Sequence, residues 1–158
     1  MNNTTQSNQE QENLKTLRAY WQAMDRYDID AALEIVDEAC VINAPKSLPY
    51  GGNYQGHDEC RQFWQVFFQT YDQPQPINLQ LLTSGDYIIC LITLKTRLKS
   101  SGAELEMPMV ETFKLRNGKL VEIRPYYFDT AKMAELMSDQ KLEQENLLGK
   151  LEIANDSV

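Results

Sequence analysis

Residues 107–129 read MPMVETFKLRNGKLVEIRPYYFD, which is the pattern of a β-hairpin with two long strands. Side chains alternate between the two faces of a strand, so apolar residues at every second position mark a buried face. Asn117-Gly118 lies between the two runs and is a strong turn signal. Glu111 falls in the middle of the apolar row of the first strand. A carboxylate buried there must pair with a cation or have a raised pKa.

The register of this hairpin has two alternatives. A two-residue turn pairs Arg116 with Lys119 and sets Glu111 opposite Arg124. A three-residue loop sets Glu111 opposite Ile123 instead and leaves it pointing inward without a cation. Burial favours the second register because it keeps apolar residues together. That register places on one face Met109, Glu111, Phe113, Val121, Ile123, Pro125 and Tyr127.

Working outward from the hairpin, periodicity and turn signals predict the other elements. Residues 1–9 are polar and are expected to form a disordered tail, and a domain covers 10–138. The polar extension 139–158 carries leucines at spacings that fit a helix. The predicted helices are 10–26, 29–37, 58–71 and 131–138; the predicted strands are 40–44, 77–83, 86–99, 103–116 and 119–128. A loop rich in proline and glycine, Pro45–Gly56, joins the first strand to the third helix.

Helices followed by an antiparallel meander define an α+β fold. A long twisted sheet of this kind curls, and helices laid on its concave side leave a pocket. The sequence therefore predicts a curved antiparallel sheet wrapped around the N-terminal helices, with a pocket between them.

The composition excludes several classes of function. Lys and Arg number 15 against 23 Asp and Glu, so the net charge of -8 disfavours nucleic acid and anionic membranes as partners. No apolar run approaches the length of about 18 residues that spans a bilayer. The first residues lack the plan of a signal peptide, so we expect a cytoplasmic protein. The three scattered cysteines are expected in the core, and one histidine among dispersed acids predicts no metal. No dinucleotide or phosphate motif is present, so no cofactor is expected.

Three titratable residues are candidates for chemistry. Glu111 is the candidate acid, and its alternative is an ion pair with Arg124. His57 is the chain's only histidine and could act as a base if the glycine loop folds over the pocket; otherwise it is a solvent-facing residue at a helix start. Asp129 is either an acid or a helix cap.

The segments YGGNYQGHDECRQFWQ (50–65) and FKLRNGKLVEIRPYYFD (113–129) resemble the nuclear transport factor 2-like superfamily, most of all its SnoaL-like branch. The resemblance covers about residues 10–138. It implies a cystatin-like α+β roll, a conical pocket for a small apolar molecule, and a homodimer formed through the convex face of the sheet. The residues expected to line the pocket are Asn43, Phe63, Phe67, Met109, Phe113, Ile123 and Tyr127.

Comparison with the ketosteroid isomerases of this superfamily adds three positions. AYWQAMDRYDID (19–30) places Tyr20 where those enzymes keep an oxyanion-hole tyrosine, and VETFKL (110–115) places Glu111 at the acid of the same hole. EACVINA (38–44) places Asn43 where they keep an aspartate base. An amide cannot accept a proton at neutral pH, so the third match departs from the family pattern.

Three function hypotheses follow from the sequence. The first is a cofactor-independent isomerase-like or cyclase-like enzyme, in which Glu111 moves or donates a proton with help from Tyr20 and His57. The second is a non-catalytic module that binds a small molecule or dimerises. The third is a protein adaptor, which the acidic surface permits.

Overall fold

A computed structural model describes residues 7–138, and these form three N-terminal helices, six strands and a last helical segment. The element bounds are α1 Asn8–Asp25, α2 Ile29–Ile35, β1 Val36–Ala44, β2 Gly52–Gln55, α3 Gly56–Thr70, β3 Tyr71–Ser84, β4 Tyr87–Leu98, β5 Glu104–Arg116 and β6 Lys119–Tyr127. A fourth helix, α4, covers 130–138. The predicted tail over 1–6 and the extension 139–158 lie outside the described residues.

Helix α1 begins two residues earlier than predicted because Ser7 caps it. The Ser7 hydroxyl accepts from the amide of Glu10 at 3.2 Å, and the Glu10 carboxylate accepts from the Ser7 amide at 2.9 Å. This reciprocal pair is a capping box, which satisfies amides that have no partner inside the helix. Residues 7–9 therefore belong to the ordered fold and not to the tail. The signal, Ser followed three residues later by Glu, is present in the sequence.

The six strands form one sheet in the order β2-β1-β6-β5-β4-β3. The predicted meander β3 to β6 is antiparallel throughout, whereas β1 pairs with β6 in parallel. The sheet is therefore mixed rather than wholly antiparallel. Strand β2 lies within the predicted loop, and β1 starts four residues earlier than predicted. The α+β class is confirmed.

The β5–β6 hairpin combines features of both alternative registers. The turn has two residues, Asn117 and Gly118, with φ of 51° and 72°, so Arg116 pairs with Lys119. A bulge then adds one residue to β6, and Glu111 pairs with Pro125. Both predicted partners of Glu111 are wrong for this reason. The bulge is needed because Leu120 and Ile123 are both buried although they are three positions apart.

The core lies between the concave face of the sheet and the helices. Alternate residues of β4 and β5 are buried on this face, as the period of a strand requires. Cys40, Cys60 and Cys90 are free and buried, which confirms their expected place in the core. Within residues 7–138, no helix is long and apolar enough to cross a membrane.

Candidate active site

The concave face of the sheet and helices α1 and α3 surround a cavity of about 690 Å³. This volume lies within the range of about 300–1,000 Å³ that small-molecule sites occupy. The exposed side chains of Asp25, Gln73 and Gln75 belong to its open side. Its wall is otherwise largely aromatic and aliphatic and includes Tyr20, Trp21, Met24, Phe63, Trp64, Phe67, Phe68, Ile42, Ile92, Leu94, Met109, Ile123, Pro125 and Tyr127.

Glu111 is the only carboxylate that the described sheet contributes to the cavity wall. Its apolar surroundings raise its pKa from 4.5 to about 7, because burial penalises the charged form. The alternative ion pair does not form. Arg124 lies on the opposite face of β6 and contacts Glu122 at 3.5 Å, and within residues 7–138 no cation pairs with Glu111. At neutral pH this carboxyl group therefore exists in both protonation states.

Tyr20 brings a second polar group to the same wall from helix α1. Its ring is buried, and its centroid lies 5.9 Å from that of Trp64 and 5.9 Å from that of Phe113. Burial raises the pKa of Tyr20 well above 10, and the nearby charge of Glu111 raises it further. The hydroxyl therefore keeps its proton at neutral pH and acts as a hydrogen-bond donor.

Five of the seven predicted lining residues lie in the cavity wall: Phe63, Phe67, Met109, Ile123 and Tyr127. Phe113 does not. Its side chain is fully buried, and its ring packs edge-on against Tyr20 and, at 6.2 Å, Trp21. It therefore supports the wall from behind as a core residue.

Asn43 also lies outside this cavity. It follows Ile42, which faces the cavity, so the alternation of β1 turns Asn43 to the other face of the sheet. There it pairs with Asn53 and lines a separate cavity of about 430 Å³ beside Arg124 and Thr130. The position of the missing aspartate therefore does not face the Glu111 cavity in this chain.

His57 and Asp129 do not reach the cavity either. His57 lies in the first turn of α3, where its Nε2 makes a 2.9 Å hydrogen bond with the carbonyl oxygen of Val36. Asp129 caps α4, since its carboxylate accepts from the amide of Lys132 at 2.9 Å. Asp129 is therefore a helix cap, which was one of its two predicted roles. Neither His57 nor Asp129 can act on a molecule bound beside Glu111.

A pair of buried tyrosines behind the cavity was not predicted. The hydroxyls of Tyr50 and Tyr71 are 2.6 Å apart and share a hydrogen bond, and the nearby Tyr127 lines the cavity. The start of β3 contributes a further part of the wall, over residues 73–77. The segment carries two prolines, Pro74 and Pro76, and both line the cavity.

Within the part of the chain that the structure describes, no group of three or more His, Cys, Asp or Glu side chains is arranged to hold a metal ion. The ionisable wall groups are instead Glu111, Tyr20 and Tyr127, with Asp25 and Tyr27 on the open side. A protonated Glu111 and Tyr20 can both donate to an oxygen atom, and an ionised Glu111 can accept a proton. The arrangement thus suits proton transfer next to a carbonyl group.

Comparison with known proteins supports the same fold. The SnoaL-like domain profile matches residues 17–123. Similar structures include a nuclear transport factor 2-like protein from Burkholderia xenovorans (23% identity, TM-score 0.73, 80% of this chain and 95% of that one). A protein of the same type and of unknown function from Burkholderia pseudomallei is 25% identical (TM-score 0.70, 79% and 96%). A candidate SnoaL-like polyketide cyclase from Jannaschia is 17% identical (TM-score 0.72, 82% and 94%). No curated protein matches the chain significantly.

Proposed function

Because the chain belongs to the SnoaL-like domain family, we propose that it binds a small ring-containing carbonyl compound and transfers a proton with Glu111. One observation carries the proposal: Glu111 lies in an apolar cavity without a cation partner among residues 7–138, and its pKa is about 7. Titratable groups perturbed by desolvation in a cleft are often functional. A general base is most effective when its pKa is near the working pH.

The reaction consists of two proton transfers. Ionised Glu111 removes a proton from the carbon next to the carbonyl group, and the electron pair of the C–H bond forms the C=C bond of an enolate. The Tyr20 hydroxyl donates a hydrogen bond to the enolate oxygen, where negative charge develops. Glu111 then returns its proton to carbon. If the enolate is conjugated with a C=C bond, return of the proton to the far carbon makes an isomer. If the enolate carbon instead attacks a second carbonyl carbon, the electron pair of that C=O bond moves to oxygen, the alkoxide takes the proton from Glu111, and a ring closes.

A non-catalytic binding module is the second candidate. Two observations favour it. Asn43 lies outside the cavity, and Glu111 is the only carboxylate on the part of the wall that the described sheet forms. Such a protein would use the cavity only to hold an apolar ligand. The two candidates differ in whether a bound ketone exchanges its protons.

The first test uses 2-tetralone, a bicyclic ketone with exchangeable protons beside the carbonyl group. In D₂O at pH 7.5 we expect the protein to accelerate deuterium incorporation, measured by mass spectrometry. General acid–base catalysis accelerates a reaction by about 10²–10⁴-fold, so the rate of deuterium incorporation should be at least about 10²-fold lower with Glu111→Gln. The matched control is Glu106→Gln, which removes an exposed carboxylate from the same strand.

Binding is followed separately through tryptophan fluorescence, because both tryptophans of the chain, Trp21 and Trp64, line the cavity. Fluorescence quenching by 2-tetralone without accelerated exchange would reject catalysis and leave the binding module. Equal exchange rates for Glu111→Gln and the native protein would reject Glu111 as the base. Absence of both quenching and exchange would reject the proposed class of ligand.

A homodimer through the convex face of the sheet belongs to the same proposal. That face carries an apolar row that the helices of residues 7–138 leave uncovered: Leu82, Ile89, Leu91, Val110 and Tyr126. Exposed apolar patches of this kind often mark protein interfaces. An acidic chain with net charge -8 needs such a patch to associate with its own copy.

Light scattering at micromolar concentration is expected to give a dimer mass for the native protein and a monomer mass for Leu91→Lys. The lysine places a charge in the middle of the patch, where it must be desolvated if the dimer forms. The control is Val66→Lys, which makes the same change at an exposed position on α3. A monomer mass for the native protein would contradict the proposal.

A further inference from the structure

A second cavity, of about 430 Å³, lies where strands β1 and β6 end. Strands β1, β2 and β6, the loop after β1 and the start of α4 line it with Asn43, Ala44, Pro45, Asn53, Arg124, Pro125, Tyr126, Tyr127 and Thr130. Pro125 and Tyr127 also line the cavity of Glu111, so the two cavities are neighbours that share part of one wall. The volume is large enough for a small organic molecule.

Three neighbouring strands bring the polar groups of the second cavity into one row. Asn43 on β1 pairs with Asn53 on β2. Ile42 pairs with Ile123 in the parallel β1–β6 ladder, so the next residues, Asn43 and Arg124, are also neighbours and share the opposite face of the sheet. The guanidinium group of Arg124 and two side-chain amides therefore lie beside the same space.

The charge of the second cavity is positive. Among the described residues that line it, Arg124 is the only charged one. Its Nη2 lies 3.5 Å from Oε1 of Glu122, which is longer than the 2.7–2.9 Å of a typical charge-assisted hydrogen bond. Both side chains of this pair are partly exposed, and such pairs contribute little stability. The guanidinium group can therefore take a better partner.

The donor groups around the second cavity have few acceptors in the protein. The Nε atom of Arg124 is buried and, within residues 7–138, has no hydrogen-bond partner. Over the same part of the chain, the side chains of Asn43, Asn53 and Thr130 make no hydrogen bond with another residue. Most buried donors in native proteins are satisfied, so an orphaned guanidinium nitrogen points to an acceptor from outside these residues.

A carboxylate is the acceptor that fits this arrangement best. The planar guanidinium group offers two parallel N–H groups that match the two oxygen atoms of a carboxylate. The side-chain amide of Asn43 can donate to one of the same oxygen atoms. The rest of the wall is aliphatic or aromatic, with Ala44, Pro45, Tyr126 and Tyr127, and suits a hydrocarbon chain or a ring.

We propose that the second cavity binds a small organic acid, with its carboxylate at Arg124 and Asn43 and its apolar part against Pro45 and Tyr126. This site is separate from the chemistry proposed at Glu111 and does not depend on it. The net charge of -8 does not prevent binding, because at physiological ionic strength charges farther away than about 8 Å are largely screened.

Isothermal titration calorimetry with phenylacetate and phenylacetamide, in 0.15 M salt at pH 7.5, tests the proposal. The two compounds have nearly the same shape, but only phenylacetate carries a charge. The native protein is expected to bind phenylacetate about 10–100-fold more tightly, which is the range for hydrogen bonds to a charged group. Equal affinity for the two compounds, or binding of neither, would overturn the proposal.

Two variants test the residues of the site. Arg124→Gln removes the charge and should lower the affinity for phenylacetate at least about 10-fold. Asn43→Asp places a carboxylate beside Arg124, where it repels the ligand and pairs with the guanidinium group, so the loss should be similar. Arg116→Gln is the matched control, because Arg116 is exposed on β5 outside the cavity. Native affinity in both site variants, with circular dichroism showing that they are folded, would overturn the proposal.

Two further measurements establish where phenylacetate binds and what competes with it. Tryptophan fluorescence should not change, because Trp21 and Trp64 line only the cavity of Glu111; quenching that follows the calorimetric titration would place the ligand there and overturn the proposal. The variant Leu91→Lys should bind phenylacetate with native affinity. Binding to this variant but not to the native protein would show that a second copy of the chain covers the cavity, and would also overturn the proposal.

Inorganic phosphate distinguishes an organic acid from anions in general. It carries negative charge but has no apolar part to contact Pro45 and Tyr126, so we expect it to bind at least about 10-fold more weakly than phenylacetate. Equal affinity for phosphate and phenylacetate would overturn the assignment to organic acids.

Discussion

Replacing Glu111 with glutamine is expected to stabilise the protein by about 3 kcal/mol at pH 8. The pKa of Glu111 is about 7 in the folded protein against an ordinary value of 4.5, and each pH unit of difference corresponds to about 1.4 kcal/mol. Between these values the folded state binds more protons than the unfolded state, so its stability falls as the pH rises. Above pH 7 the loss is complete. Glutamine removes it because the amide never ionises.

Urea unfolding at several pH values measures this effect. The difference in unfolding free energy between Glu111→Gln and the native protein should be near zero at pH 4, grow from pH 4.5 to 7 and stay constant above that. Glu106→Gln should show no such growth, because Glu106 is exposed and contacts Lys95 at 3.6 Å. A difference that does not change with pH would show that Glu111 is solvated or paired in the folded protein.

Replacing Phe113 with alanine is expected to lower the free energy of unfolding by about 3–5 kcal/mol, the usual cost of removing a buried aromatic ring. The ring is fully buried and supports both Tyr20 and Trp21 from behind the cavity wall. Its loss leaves a hole that the surrounding β-sheet cannot close. Urea unfolding followed by circular dichroism gives the value.

Phe67→Ala provides the comparison for Phe113. Phe67 is half-buried in the wall of an existing cavity, so its removal enlarges that space and creates no closed hole. The loss of stability should be smaller, whereas quenching by 2-tetralone should weaken. Equal losses of stability in the two variants would contradict the distinction between core and wall.

The fold and the inward direction of Glu111 could be predicted because both depend on local patterns. Alternation along β5 puts Glu111 and Met109 on the same face whatever the register. The partner of Glu111 could not be predicted, because it depends on a bulge. That bulge lets Leu120 and Ile123 both point to the buried face, and neither predicted register placed a bulge at Val121.

The buried tyrosine pair behind the cavity, and its position near Tyr127, could not be predicted because these residues lie far apart in the chain. Tyr50, Tyr71 and Tyr127 come from a loop, the start of a strand and the end of another strand. No spacing rule connects them. His57 was proposed from its residue type and Asn43 from the family resemblance, but the helix start and the alternation of β1 turn them away from the cavity.

The parallel pairing of β1 with β6 has a consequence for how the chain acquires its structure during synthesis. Ile42 pairs with Ile123, about 80 residues later, so β1 has to wait for most of the chain before it gains this neighbour. Until then, β1 has only β2 beside it, and the backbone amide and carbonyl groups of its other edge have no strand partner. The nascent chain therefore exposes an unpaired strand edge while it is still on the ribosome, and its folding yield should depend on chaperones that bind such incompletely folded chains.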